Sequence, residues 1–443
     1  MKRQHQLMIW LAIAALPGQA TAFDLIEAWQ AARNYDAGYA ASRADLAAGQ
    51  ERQAQGRAGL LPQVSVTGNY TRANPIAPKG QDQNGRDLRN GAESHGYTLG
   101  MTQPLFDVSR YTGYQKGKID TALSQTQYEQ AEQQLISDVA KAYFDVLLAQ
   151  DSLSATQAAK KSYKSQLDQA KTSFEVGTAT ITDTYEAQAG YDGAIAEEII
   201  AQSTLEIAIN NLTRLTGLPG SGIQPLASRM VLDKPDPETL DGWVAQALNN
   251  SLEIRAQTQQ VARAEQDLTE KRGSHLPTVN LTANYQDNRS NQPAALGGGP
   301  TRGSSIGVNI SLPLFAGGGI NAQVREAAAR LDSAREKLEA TRRKVREDVR
   351  RAYLGVTNGA AYVRAQEQLL VSAKSKLEST RLGKEVGVRT NLDLLKAEQD
   401  YTTTIKTLAD ARYRYLNARI ALAQSVGRLD EGVLRGVNAS IRH

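Results

Sequence analysis

The chain has 443 residues, 51 Lys plus Arg against 47 Asp plus Glu, a formal charge of +4, and no cysteine. The missing thiols exclude disulfides, thiolate metal sites and an acylated-cysteine anchor, and the near balance of charge gives none of the basic excess that would point to nucleic acid. A mean hydropathy of −0.45, with no long apolar run past the start of the chain, excludes helical membrane spans. It does not exclude β-strands in a membrane, which are short and half apolar.

In chain order, Lys2 and Arg3, the apolar run Leu7 to Leu16, Pro17-Gly18 and Ala20-Thr21-Ala22 predict a secretory signal over 1–22, with Phe23 as the first mature residue. Losing Lys2 and Arg3 takes the charge from +4 to +2. A helix is predicted from Leu25 to Leu60. A strand near 62–73 follows, with Val64, Val66, Gly68 and Tyr70 on one face and Ser65, Thr67, Asn69 and Thr71 on the other. A polar loop over 74–94 leads to a second strand near 95–105, carrying Tyr97, Leu99 and Met101 on one face. Asp107 to Thr172 has no proline and reads as one helical stretch of roughly 100 Å. The turn EVGTATITDTY at 175–185 joins it to another long helix, closing a unit at about 217.

A Pro-, Asp- and Gly-containing segment over 218–240 separates this unit from a second one. The second has a helix over Leu240 to Gly273, strands near 276–287 and 303–314 around a polar loop at 287–302, and a helical stretch from Gly317-Gly318-Gly319 to about Gly383. The turn EVGVRTNLDLL at 385–395, a last helix to 427 and a tail over 428–443 complete it. Four landmarks recur in order at offsets of 209 to 215: Leu61-Pro62 with Leu276-Pro277, Pro104-Leu105-Phe106 with Pro313-Leu314-Phe315, Ala142-Tyr143 with Ala352-Tyr353, and the Glu-Val-Gly turns. That constancy marks an internal duplication of two units, 23–217 and 241–427. The fold class is mainly α with a small β part. Its long, antiparallel, coiled-coil-like helices are poor in large apolar residues, and bury a narrow seam rather than a thick core.

Enzymatic signatures are missing. His5, His95, His275 and His443 are scattered, no HExxH, Walker loop or nucleophile elbow is present, and Gly297-Gly298-Gly299 lies between strands as turn chemistry. The basic run Arg342-Arg343-Lys344-Val345-Arg346 is followed by acids and reads as a solvated helix face. No cofactor is expected. The alternating strands fit either a lipid-facing sheet or a soluble half-buried one. Four strands cannot close a barrel, for which about eight is the small limit, and an open edge is not tolerated in lipid. In a membrane, several chains would therefore have to share one barrel, and three would give twelve strands.

In order along nearly the whole mature chain, the segments LLPQVSV, TQPLFD, AYFDVL, HLPTVNL, SLPLFAGG, the two Val-Gly turns and ARYRYLNARIAL resemble the TolC family of outer-membrane efflux and secretion channels. The resemblance implies a homotrimer, with a shared twelve-stranded barrel in the outer membrane of a Gram-negative bacterium and a twelve-helix tunnel in the periplasm. Segments 218–240 and 428–443 would form a belt around the tunnel. Implied partners are outer-membrane lipid, a periplasmic adaptor (membrane fusion) protein and an inner-membrane transporter, ABC or proton-driven. Implied cargo is drugs, toxic small molecules or unfolded proteins, in efflux or type I secretion.

It further implies a periplasmic mouth closed at rest by the two turns, with Gly177 and Gly387 supplying the permissive backbone. Arg389 matches the family's gating Arg, Asp183 its acidic partner, and Asp393 one of two acidic rings at the constriction. Lys396 stands where the second acid would be and Lys384 where a gating Tyr would be, so a weaker cation preference is expected. Segment 385–395 would be the moving side and 175–185 the fixed side. The alternative is a soluble periplasmic coiled-coil adaptor with no pore, which would have one hairpin rather than two separated by strand pairs.

Overall fold

Asp24 and Glu27 open α1 (Leu25–Tyr35) with a reciprocal cap: Glu27 N–H donates to Asp24 Oδ1 at 2.9 Å, and Asp24 N–H to Glu27 Oε2 at 3.0 Å. In this computed structural model the described residues are 23–73, 92–220, 222–225, 230–233, 235–291 and 298–442. The signal expected over 1–22, residues 74–91 and 292–297 of the two expected loops, and part of the 218–240 segment lie outside them. So do His5, His443 and Gly297. Among the described residues no helix is long and apolar enough to cross a membrane.

The described residues are mostly helical, with four strands, as the periodicities predict, and the strands pair antiparallel. Two single helices of the sequence reading are each two helices. α1 stops at Asp36 (ψ 122°) before α2 (Ala37–Ala58), because the Asp36 carboxylate accepts the Tyr39 N–H at 2.7 Å and restarts the helix as its cap. In the second unit α5 (Leu240–Asn250) gives way to α6 (Leu252–Gly273) at Ser251 (ψ 126°). The long helices are α3 (Val108–Glu175), α4 (Ile181–Thr216), α7 (Gly319–Glu385) and α8 (Asn391–Ser425), and α9 (Glu431–Arg442) ends the chain.

By packing, the described residues within 23–40, 133–243 and 349–442 form one compact unit, and those within 41–132 and 244–348 form the other. In the first, fully buried side chains of α1, α3, α4, α8 and α9 make the core: Leu25, Tyr143, Phe144, Leu212, Tyr415, Leu416 and Leu434. Polar groups inside it are paired. The Asn438 amide donates to Asp24 Oδ2 at 2.9 Å and accepts the Leu25 N–H at 3.3 Å. The Tyr143 hydroxyl donates to the carbonyls of Phe23 and Gln224, and Tyr415 to that of Asp233. Phe23 also pairs with Ile223 in a parallel bridge, so chain start and inter-repeat segment are tied together.

The second unit holds one sheet, in the order β1 (Gln63–Ala73), β2 (Ala92–Phe106), β3 (Thr278–Ser290) and β4 (Gly299–Ser311), all antiparallel. Residues 92–94, 287–290 and 299–302 are strand where the sequence reading had loop. Register separates two faces. Val64, Met101, Ala283 and Ile306 lie in one cross-strand row, and Val66, Leu99, Tyr285 and Ser304 in the next. Rows of the opposite face read Ser65, Gly100, Asn284, Ser305 and Thr67, Thr98, Gln286, Gly303. No strand residue on that face is charged. The apolar face is bare: Val66 is 69% and Ile306 76% exposed.

The helices beside the sheet share cross-helix ion pairs and a thin core. Lys116 on α3 bonds Asp267 at 3.0 Å and also Glu270, while Arg263 meets Asp120 at 2.9 Å and Lys344 meets Glu253 at 2.7 Å. Lys344, inside the basic run, is thus one member of a cross-helix pair. A thin cluster of Leu268, Ala327 and Leu331 is buried between α6 and α7.

Candidate functional site

The two Val-Gly turns repeat one local design. In the first, Thr178 and Ala179 N–H both donate to the Ser173 carbonyl, and in the second Val388 and Arg389 N–H both donate to that of Gly383. The chain then reverses through Gly177 (φ 76°) and Gly387 (φ 80°), a left-handed conformation that a Cβ makes costly. Thr180 and Thr390 cap the outgoing helices. Asp183 N–H donates to Thr180 Oγ1 at 3.2 Å and Thr180 N–H to Asp183 Oδ2 at 2.9 Å; the Thr390–Asp393 box has both bonds at 3.1 Å. The Asp eight residues after each Glu is therefore a helix-capping residue in both copies.

The capping bonds hold both carboxyls below the ordinary aspartate value, Asp183 through the Thr180 hydroxyl and amide, Asp393 through the Thr390 amide and hydroxyl. A depressed carboxyl stabilises its cap above the ordinary value and loses that stabilisation as pH falls through the depressed one. Acidification through that window should raise deuterium uptake at amides 180–183 and 390–393. The Asp183→Asn/Asp393→Asn variant, whose caps no longer titrate, should show no such rise.

The copies differ in what surrounds the caps. At an offset of 210, Phe174, Ala179, Ile181 and Glu186 become Lys384, Arg389, Asn391 and Lys396. Ile181 is 44% exposed but Asn391 only 6%. Asn391 accepts from Lys384 Nζ at 2.9 Å and donates from Nδ2 to the Asp183 carbonyl at 3.3 Å, which links α7 and α8 of one hairpin to α4 of the other. Burial lowers the Lys384 ammonium from its ordinary value, opposed by the Asp183 carboxylate beside it.

Arg389 and Lys396 are exposed, and their charges act on Asp393 rather than on Asp183. Arg389 lays its stem against Gly383, where an added Cβ would come within 2.7 Å of Arg389 Cγ. Its guanidinium makes no hydrogen bond or ion pair among the described residues of one chain. The structure thus brings Asp183 to Lys384 and Asn391, and Arg389 to Asp393. The sequence reading did not single out Asn391; its one signal was the Ile-to-Asn change between copies. A polar groove of about 940 Å³ lies between the hairpins, lined by Gln166, Asp183, Arg381, Lys384, Arg389 and Asn391 among others.

Further contacts close the hairpins on each other. A Cβ on Gly190 of α4 would sit 3.2 Å from Leu395 of α8, Lys406 meets Glu197 at 3.1 Å, and the Tyr413 hydroxyl donates to Asp151 at 2.8 Å. Tyr163 is pushed up to about 12, chiefly by burial and then by Glu398 and Glu197. Among the described residues no group of three or more His, Cys, Asp or Glu could hold a metal ion.

Bare sheet, duplicated hairpins and paired turns define an outer-membrane channel subunit, and the comparisons agree. Residues 29–218 and 243–428, one segment per repeat, match the family model described as outer membrane efflux protein, and the chain belongs to that family. It is 31% identical to the outer membrane protein TolC of Vibrio cholerae, over 100% of this chain and 99% of that one. It is 32% identical to the alkaline protease secretion protein AprF of Pseudomonas aeruginosa, over 98% and 92%. The crystal structure of the outer membrane protein VceC from Vibrio cholerae superposes with a TM-score of 0.76 at 18% identity, over 91% of this chain and 96% of that one.

Proposed function

We propose that three copies of this chain form the exit duct of a tripartite efflux or type I secretion system in the outer membrane. The observation that carries this is the four-stranded sheet with one bare apolar face and two unpaired edges, in a chain of this family. Lipid offers those edges no hydrogen-bond partner, so closure needs strands from further copies; three copies give twelve, the number the family resemblance implies. Segments 218–240 and 428–443 would form the belt around its helical part. An inner-membrane transporter and a periplasmic adaptor would deliver the cargo, which the duct conducts passively. The relatives named for efflux and for protease secretion support drugs, toxic small molecules and unfolded proteins alike as cargo.

In this reading the Val-Gly turns are the periplasmic mouth. The Lys384–Asn391–Asp183 chain holds the two hairpins of one subunit. Arg389, which forms no ion pair among the described residues of its own chain, meets Asp183 of a neighbouring copy when the ring closes. One such pair at a partly exposed site is worth about 1 kcal/mol or less, and three broken together make a modest cooperative latch. The test is single-channel conductance of the mature protein in planar bilayers beside Asp183→Ala and Arg389→Ser. Small wild-type openings that grow in both variants support the gated duct. No conductance in any of the three would reject it, and large wild-type openings unchanged in the variants would reject the latch.

Lys396 adds a positive charge one helical turn from Asp393. Lys396→Asp should therefore increase cation preference, read as a shift of reversal potential in a salt gradient. A wild-type channel already strongly cation-selective, losing that selectivity in Lys396→Asp, would contradict this.

A further inference from the structure

The apolar face of the sheet does not stay apolar. Beyond the row of Val64 and Ile306, the same face carries Tyr285 in the row of Val66 and Leu99, then Tyr97, then Tyr70. The rows of Tyr97 and Tyr70, and the row past them, also carry charge. Register places Tyr70 beside His95 and His95 beside Arg289, Arg72 beside Glu93, and Asp287 beside Arg302. These charges stand on the side of the large apolar residues, whereas the opposite face, made of Ser, Thr, Asn, Gln and Gly with a few Ala and Pro, has none.

Two of the arginines are anchored and still exposed. Arg302 Nε donates to the buried Asp287 carboxylate at 2.9 Å, with its side chain 61% exposed. Arg72 lies 3.5 Å from Glu93 and is 64% exposed. Arg289 is exposed with no ion pair among the described residues. It is two residues along β3 from Asp287, the partner of Arg302, so Arg289 and Arg302 are diagonal neighbours about 7–8 Å apart, within reach of one ligand for long side chains. Guanidinium forks level with the tyrosines and next to apolar rows suit an anionic oxygen cluster on an amphipathic molecule: phosphate at the arginines, acyl chains along the apolar rows.

We infer that Arg289 and Arg302, with Arg72 and His95 beside them, bind the phosphate of a membrane-lipid headgroup on the outer wall of the sheet. This rests on reading the sheet as part of an outer-membrane barrel. Lipid rather than free phosphate is the occupant, because the arginines continue the apolar and tyrosine rows instead of facing the polar side.

The test is native mass spectrometry of the mature assembly in detergent, with a bisphosphorylated diglucosamine lipid, the same lipid without phosphates, and inorganic phosphate as competitor. Arg289→Gln removes a charge with no ion pair among the described residues. Arg302→Gln is combined with Asp287→Asn, so that no buried carboxylate loses its partner. Retention of the bisphosphorylated lipid should fall about fivefold in Arg289→Gln and about thirtyfold when all three changes are combined. The phosphate-free lipid should be retained weakly by every form. Equal retention in wild type and variants would overturn the site, and full displacement by inorganic phosphate would overturn the lipid assignment. Bilayer conductance of the same samples reads the duct separately. Pores in variants that no longer hold lipid support both readings, pores with equal retention in all forms overturn the lipid site alone, and no pores in any form overturn the duct reading on which the site rests.

Discussion

In Asn391→Leu, single-channel openings grow and the closed level becomes rare. Leucine nearly matches asparagine in size, but it gives Lys384 no acceptor and the Asp183 carbonyl no donor. Losing partners at a 6% exposed position costs about 1–3 kcal/mol per subunit. With about 1.4 kcal/mol per factor of ten, the open share rises roughly fivefold to a hundredfold. This variant is more informative than Asp183→Ala, which also removes the cap of α4. Asn391→Leu leaves both Thr–Asp caps intact, so deuterium uptake at 180–183 should stay at the wild-type level while conductance rises. Wild-type conductance in Asn391→Leu would show that the joint between hairpins lies elsewhere.

Tyr143→Ala should have the largest effect on stability. Its ring is fully buried, edge-on to Phe23 and Phe144, and Phe144 stacks on Tyr413. Its hydroxyl serves the carbonyls of Phe23 and Gln224, so one side chain ties α3 to the chain start and to the segment between repeats. Truncating a buried aromatic to alanine costs about 3–5 kcal/mol. Tyr143→Phe keeps the ring and removes only the hydroxyl, while the Phe23 carbonyl keeps the Gln224 N–H, for about 1–2 kcal/mol. Urea midpoints should rank wild type, Phe, Ala, and the Ala form should be scarce in outer-membrane fractions. A midpoint unchanged in Tyr143→Ala would deny this residue its place at the centre of the core.

Much of this was legible in the sequence where a pattern repeats. Two-residue alternation around Val64 and Val308 gave the strands, and the duplicated Glu-Val-Gly gave the turns. What escaped was decided by single side chains. Asp36 breaks a helix by capping the next one, and the apolar pattern on either side does not change. Strand residues 287–290 and 299–302 looked like loop because Asp287, Arg289 and Arg302 occupy apolar-face positions, which erases the alternation that marks a strand. At the site, Asp183 and Asp393 were legible as carboxylates but not as caps, since both roles ask for the same residue. Asn391 was invisible as a joint because a polar residue beside a turn is ordinarily solvated, and only burial distinguishes this one.

The uncharged face of the sheet has a consequence for traffic. If that face lines the duct, its wall is a carpet of hydroxyls and amides from Ser65, Thr67, Thr98, Asn284 and Gln286, with no acid or base among them. Such a wall gathers no counter-ion layer and offers a passing acid or base no deep well in which to stall. An unfolded segment trades one short-lived hydrogen bond for the next, and a small cation and a small anion meet similar friction. Transit through that stretch is then set by length and width rather than by valence, and sorting by charge is left to narrower parts of the path.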